Sequence, residues 1–377
     1  MPSDSKQMSR FAFLDALRGL AAISIVGFHL YQYEPLPEKS QSFLPYVVEL
    51  WLIWGWVGVQ ILLVISGFVI AYSFRDGRAT VSGVANFLLR RVVRLSPPYL
   101  MTLLVILLLH QIAVRLHCFP SPLDEPPSWG QVASHLIYAQ DLLGFPNLSA
   151  GLWTVCIEIQ FYMLFGVGML LAQRVCSART DGQTAATFET LACMFAPLAA
   201  MSLFDWCCEP TLEPYVLYFF GLFYLGMMTW WSLDGRIPQS WYWVTVAAFV
   251  GRILSQWKTE IVIGLIASLA IFMAGRIGHL HDWLNYRWLQ YLGRISYSLY
   301  LIHYAVCHVV THVGWALLGG SPSPPQAAGC LALAMAISIV MAHMLYILVE
   351  APSTRWAARL KSETTRIDAD NVGRSRI

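Results

Sequence analysis

Residues 51–73, WLIWGWVGVQILLVISGFVIAYS, run for 23 positions without an Asp, Glu, Lys, Arg or His. At about 1.5 Å of rise per residue, a helix of that length covers the roughly 30 Å hydrocarbon core of a bilayer. With no water to serve its N–H and C=O groups there, the segment must close its hydrogen bonds within itself, as an α-helix. Its apolar residues are continuous rather than alternating, which excludes a strand of a membrane barrel.

Nine more stretches of the same kind lie along the chain, giving ten expected transmembrane helices at 11–33, 51–73, 97–115, 152–173, 188–205, 214–231, 240–256, 260–275, 293–317 and 327–349. The composition agrees: of 377 residues 57% are hydrophobic, 14% aromatic and 12% charged, with a mean hydropathy of +0.56. Soluble domains carry about 25% charged residues. The near balance of 24 Lys and Arg against 22 Asp and Glu, with long apolar runs, also excludes a disordered, collagen-like or nucleic-acid-binding chain. The expected fold is all-α and polytopic, embedded in a lipid bilayer.

Orientation follows from the basic residues. With the N-terminus in the cytoplasm, the inner segments hold Lys6, Arg10, Arg75, Arg78, Arg90, Arg91, Arg94, Arg174, Arg179, Arg236, Arg276, Arg287, Arg355, Arg359, Lys361, Arg366, Arg374 and Arg376, which is 18 of 24. The outer segments keep Lys39, Arg115, Arg252 and Lys258, while Arg18 and Arg294 fall within or beside spans. That bias predicts cytoplasmic termini. Polar tails at 1–10 and 357–377 then flank one membrane domain, 11–356. The first helix is expected to stay in the membrane rather than be cleaved as a signal, because it carries Asp15, Arg18 and His29 and no small-residue cleavage site follows. The Pro-rich segment 116–150 is expected as an outer loop capping a site, and Asn147, Leu148 and Ser149 in it form a glycosylation sequon. Eight cysteines show no metal-ligand spacing, and Cys118, Cys207 and Cys208 fall on the expected outer side. No metal is expected.

Charges at membrane depth are costly and usually pair or line a cavity. Arg18 and His29, eleven residues apart, differ by about 20° around a helix and stand about 16 Å apart along it, so they share a face. Asp15 lies three residues before Arg18, within pairing reach. Two readings fit. In one, Asp15 and Arg18 form a buried pair and His29 is an interfacial histidine bonded to a neighbouring helix. In the other, His29 is a general base, the imidazole being suited to proton transfer near neutral pH.

Three further stretches carry ionisable groups. In LLRRVVRLSPPYL (88–100), Arg90, Arg91 and Arg94 form a cationic patch ahead of Pro97 and Pro98, where the chain restarts as the membrane begins. The patch reads either as a topology anchor or as a phosphate site, since guanidinium groups bond phosphate bidentately. In GLWTVCIEIQFYMLF (151–165), Trp153 suits an interfacial belt, whereas Glu158 inside the apolar run requires a partner such as Arg, His or a substrate hydroxyl. In GRISYSLYLIHYAV (293–306), Arg294 can snorkel to headgroups and the hydroxyls can join helices. Glu350, just before Pro352, is placed to meet a cytoplasmic arginine.

Together these motifs resemble the acyltransferase 3 family of membrane O-acyltransferases. FLDALRGLAAISIVGFHL (13–30) is similar to the family's Arg, ten residues, His signature, at Arg18 and His29; GVQILLVISGFVIAYSF (58–74) retains Ser66, Gly67 and Phe68 of its second-helix motif. RRVVRLSPPY, LWTVCIEIQFY, GRISYSLYLIHY and LVEAP look like its arginine, Trp-to-Glu and closing motifs. The resemblance covers about 11–356. It departs where Gln60 and Ile159 stand at commonly acidic positions, and the chain lacks the hydrolase-like domain of longer members.

The resemblance implies acyl transfer, most often of acetyl, from cytoplasmic acyl-CoA to a hydroxyl of a carbohydrate or glycolipid on the far side of a bacterial inner membrane. His29, Arg18 and Glu158 are the expected catalytic residues. Arg90, Arg91 and Arg94 would hold the donor's phosphates, and Ser66, Trp153, Tyr297, Tyr300 and His303 complete the expected substrate-binding set. Direct attack and a covalent acyl-histidine both remain compatible with these residues. A transporter is the rival class, against which stands the absence of an inverted repeat.

Overall fold

The computed structural model describes residues 11–32, 36–76, 79–117, 119–123, 125–177, 184–204 and 210–360. The terminal segments 1–10 and 361–377 lie outside the described residues, as do Arg78, Cys118, Arg179, Cys207 and Cys208. The helices are α1 (Ala12–Gln32), α2 (Leu36–Ser40), α3 (Tyr46–Trp54), α4 (Gly58–Ser73), α5 (Val81–Leu116), α6 (Trp129–Leu136), α7 (Leu152–Ser177), α8 (Thr184–Leu203), α9 (Val216–Leu233), α10 (Gln239–Ser255), α11 (Thr259–Arg276), α12 (Arg287–Leu317) and α13 (Pro324–Leu345). No strand occurs among the described residues. Each expected span coincides with a helix. Among the described residues, eight stretches are long and apolar enough to cross a membrane by length and composition alone, with α3 and α4 joined as Tyr46–Ser73 and α13 running on to Leu360. The two other expected spans are α10, one of the shorter at 17 residues, and α12, whose 31 residues include Arg294, His303, His308 and His312.

The chain forms two compact units, with boundaries inside α1, α3, α7 and α12. The first comprises Met1–Phe28, Trp51–Gly77 and Val175–Tyr297; the second comprises His29–Leu50, Arg78–Arg174 and Ser298–Ile377.

In the first unit α4 crosses α9 at backbone contact. A Cβ on Gly67 would lie 2.0 Å from Phe223 O, and one on Gly226 would lie 2.0 Å from Val64 O, so only glycine permits the crossing. Phe68, fully buried, sets its ring against those of Phe11 and Trp230. Gly67 and Phe68, two of the three motif residues, are thus accounted for by packing. Farther along α9, Thr229 meets Ser268 of α11 at 2.9 Å and Tyr242 of α10 meets Ser268 at 3.1 Å, tying three helices through buried hydroxyls.

The second unit departs from two sequence expectations. Pro97 and Pro98 do not restart the chain: α5 runs unbroken for 36 residues through both. A proline in a helix removes the N–H that would serve the carbonyl four residues earlier. For Pro98 that carbonyl is Arg94 O, and Ser353 Oγ, which donates to Glu350 O at 2.8 Å, shares its proton with it at 3.1 Å. The outer loop is also more than a cap. From the end of α5 it passes Ser121, whose Oγ lies 2.7 Å from His110 Nδ1, forms α6, and returns along α5, where Tyr138 donates to Ser96 Oγ at 2.6 Å. Ser96 lies 20 residues before the last residue of α5, or about 30 Å along its axis. Non-helical backbone at such depth requires protein cover, and Gln140 and Ser149 are buried. Asn147 of the sequon donates to Asp141 Oδ1 and accepts from Gln140 Nε2.

Candidate functional site

His29 lies near the end of α1, half-buried, where the second unit begins. Its Nδ1 stands 3.2 Å from Nε2 of His303 on α12, and its ring packs near Tyr304, with centroids 6.4 Å apart. His303 is fully buried and its Nδ1 lies 3.1 Å from Leu299 O, the carbonyl one turn earlier.

A turn below His303 on α12 is Tyr300, with ring centroids 6.1 Å apart. Thr154 of α7 donates to the Tyr300 hydroxyl at 2.9 Å. The approach is close because residue 151 is glycine: a Cβ there would sit 2.7 Å from Tyr300 O. Thr154, Glu158 and Tyr162 recur every four residues on α7 and so share one face. Tyr162, buried, donates its hydroxyl to Glu158 Oε1. One partner of Glu158 is therefore a tyrosine on its own helix.

The arginine patch meets the other end of this face. The Arg91 guanidinium lies over the Tyr162 ring at 5.0 Å and over Phe87 of its own helix at 5.2 Å, a cation–π arrangement. Arg90 donates its Nε to Asn86 O at 3.2 Å, which folds it back on α5. Arg94 is half-buried with its Nε out of water. Within one unit, Arg91 thus meets Tyr162 and Tyr162 meets Glu158, while Thr154, one turn from Glu158 on the same face of α7, meets Tyr300, whose ring lies near His303 and so near His29. Glu350, buried in a π-turn over Tyr346–Glu350, accepts from Ser298 of α12 at 2.6 Å.

Trp153 is half-buried beside Thr154 on α7. Arg18, Ser66 and Tyr297 belong to the first unit, on α1, α4 and α12, and each is half-buried. Gln60 is buried in that unit too, its amide nitrogen turned toward Trp56 O and Val57 O at 3.3 and 3.1 Å. A carboxylate at position 60 would face those two carbonyl oxygens, so this environment suits the amide and not an acid. Sequence reading missed Thr154 and Tyr162. The available signal was their i, i+4 relation to Glu158. Among the described residues, no group of three or more His, Cys, Asp or Glu is arranged to hold a metal.

Outside the spans, burial pushes His135 of α6 below its ordinary pKa, in spite of the Gln131 carbonyl at 2.8 Å, and its Nε2 accepts the Leu148 N–H at 3.2 Å. Burial raises the Asp141 carboxyl, against the lowering effect of the Asn147 bond.

Helices of this length and apolarity, with imidazoles, a carboxylate and guanidinium groups gathered in one unit, define a multi-pass integral membrane protein with a polar interior face. Residues 11–343 match a family model described as an acyltransferase domain, and the chain belongs to the acyltransferase 3 family. It is an acyltransferase that transfers groups other than aminoacyl groups. The chain is 24% identical to the acyltransferase MdmB of Streptomyces mycarofaciens, over 95% of each chain. It is 26% identical to BcsY of Komagataeibacter xylinus, provisionally named a membrane-bound transacylase, over 89% of this chain and 81% of that one. A provisionally named O-acetyltransferase of Staphylococcus aureus strain COL is 23% identical over 81% of this chain and 52% of its own. No solved structure matches the chain.

Proposed function

We propose that this acyltransferase takes an acyl group, acetyl in the first instance, from cytoplasmic acyl-CoA and transfers it to a hydroxyl of an extracytoplasmic or lipid-linked carbohydrate. It does so as one membrane domain, 11–356, of ten spans in a bacterial inner membrane, with both termini cytoplasmic. The observation that supports the reading is the placement in one unit of two contact groups on one face of α7, Arg91 with Tyr162 and Glu158, and Thr154 with Tyr300, His303 and His29. A donor with phosphates at one end and a thioester at the other needs cations and a base set apart in this way.

Arg90, Arg91 and Arg94 bind the donor's phosphates. Arg18, Ser66 and Tyr297 serve the donor's polar arm, while Trp153, Tyr300 and His303 shape the reacting end. His29 takes the proton of the acceptor hydroxyl as that oxygen attacks the thioester carbonyl. The C–S bond breaks, the thiolate leaves, and the proton held by His29 passes to it. Glu158, bonded to Tyr162, orients the acceptor.

Purified protein given radiolabelled acetyl-CoA and a glycan acceptor tests this. Label in the glycan supports it. Hydrolysis alone, or label that reaches the glycan only from a non-CoA donor, contradicts it.

A further inference from the structure

We propose that His303 is a positioning residue that selects the tautomer of His29, leaving Nε2 of His29 as the proton-accepting atom. The inference rests on His29 being the base. The argument starts from a carbonyl. Leu299 O can only accept, so Nδ1 of His303, 3.1 Å away, carries a proton and donates it. His303 is fully buried, and its described polar and ring neighbours are the carbonyls of Leu299 and Tyr300, the His29 imidazole and the Tyr300 ring, none of them a carboxylate. A second proton would create a buried cation without a counter-charge, which is costly. His303 is therefore neutral with a lone pair on Nε2.

That lone pair faces Nδ1 of His29 at 3.2 Å. Two lone pairs cannot bond, so the proton of a neutral His29 sits on Nδ1 and is donated to His303. Nε2 of His29 is then bare. When it takes the acceptor's proton, the imidazolium keeps its Nδ1–H bond to a neutral acceptor, with no change in the geometry of the pair. The arrangement does with a second imidazole what a carboxylate does in a serine hydrolase triad, fixing orientation and tautomer.

His303→Leu removes the acceptor and His303→Gln supplies another in the amide oxygen. In radiolabel transfer from acetyl-CoA, His303→Leu is expected to lose about 10²- to 10⁴-fold in kcat with KM for both substrates within about twofold, the scale on which a wrong tautomer costs a triad enzyme. His303→Gln is expected to recover at least about tenfold of that loss, as a bond worth about one order of magnitude returns. Nitrogen-15 spectra of histidine-labelled native protein read the tautomer directly, and the expected signals are a protonated Nδ1 and a bare Nε2 on His29. Native kcat in His303→Leu, equal loss in both variants, or a bare Nδ1 in native protein overturns the proposal. If His303→Leu does not fold, the native spectrum decides. His29→Ala separates the two readings: activity without that imidazole overturns the base itself, whereas an inactive His29→Ala beside a native-like His303→Leu overturns only the role of His303.

Discussion

The Tyr162 hydroxyl is bonded to the Glu158 carboxylate one turn away on α7, while the Arg91 guanidinium covers the Tyr162 ring at 5.0 Å. One tyrosine thus links the carboxylate of the expected site to its arginine patch. Tyr162→Phe keeps the ring and removes the hydroxyl. A hydrogen bond to a charged group contributes about 1.5–3 kcal/mol, so the variant is expected to unfold at lower temperature in detergent and to lose turnover, while Arg91 keeps its seat. Unchanged stability and turnover would show that Glu158 does not depend on this bond. Glu158→Gln is expected to lower turnover more than it lowers melting temperature.

The three arginines differ in freedom. Arg90 is folded onto Asn86 O, whereas Arg91 lies over two rings. Titration of acetyl-CoA against each single alanine variant is expected to weaken most for Arg91→Ala and least for Arg90→Ala. Unchanged affinity in the triple variant would leave the patch a topology anchor.

Ser353 and Pro98 are coupled through Arg94 O. Ser353→Ala in the native background strands that carbonyl and is expected to cost about 1–3 kcal/mol. Pro98→Ala restores an N–H four residues on, so Ser353→Ala is expected to cost less in that background. A double-mutant cycle by thermal unfolding reads the difference, and additive effects would contradict the coupling.

His135 gives the connecting segment an acid sensitivity. Burial holds its pKa below the ordinary 6.5, so the unfolded chain binds the proton more readily than the folded one. Its contribution to stability is complete above pH 6.5 and falls as pH drops from there toward the folded value. Asp141, raised by burial, acts with the opposite sign in a more acidic window, above its ordinary 3.8. Melting curves at pH 7.5 and 5.5 are expected to separate more in the native protein than in His135→Gln; equal separation would remove His135 as the source.

The sequence discloses spans well because each must satisfy its own backbone, which leaves a mark in every apolar run. It also discloses which ionisable groups are too deep to be idle, among them His29, Glu158 and His303. What it hides depends on distant partners. The continuity of α5 through Pro97 and Pro98 rests on Ser353, separated from Arg94 by 259 positions. The return of residues 137–150 along α5 rests on Tyr138 finding Ser96, and neither residue is unusual where it stands. The Thr154 and Tyr300 bond joins helices 146 positions apart. Tyr162 was within reach of a helical-spacing argument, since it follows Glu158 by one turn. Gly67 and Phe68 read as motif residues from sequence, yet their surroundings explain them by packing alone.

The most direct measurement is acetyl transfer by purified His29→Ala beside native protein, with melting temperature as the check on folding. The account predicts a native-like melting curve and label transfer at background. Transfer at or near the native rate by a folded His29→Ala protein would contradict it.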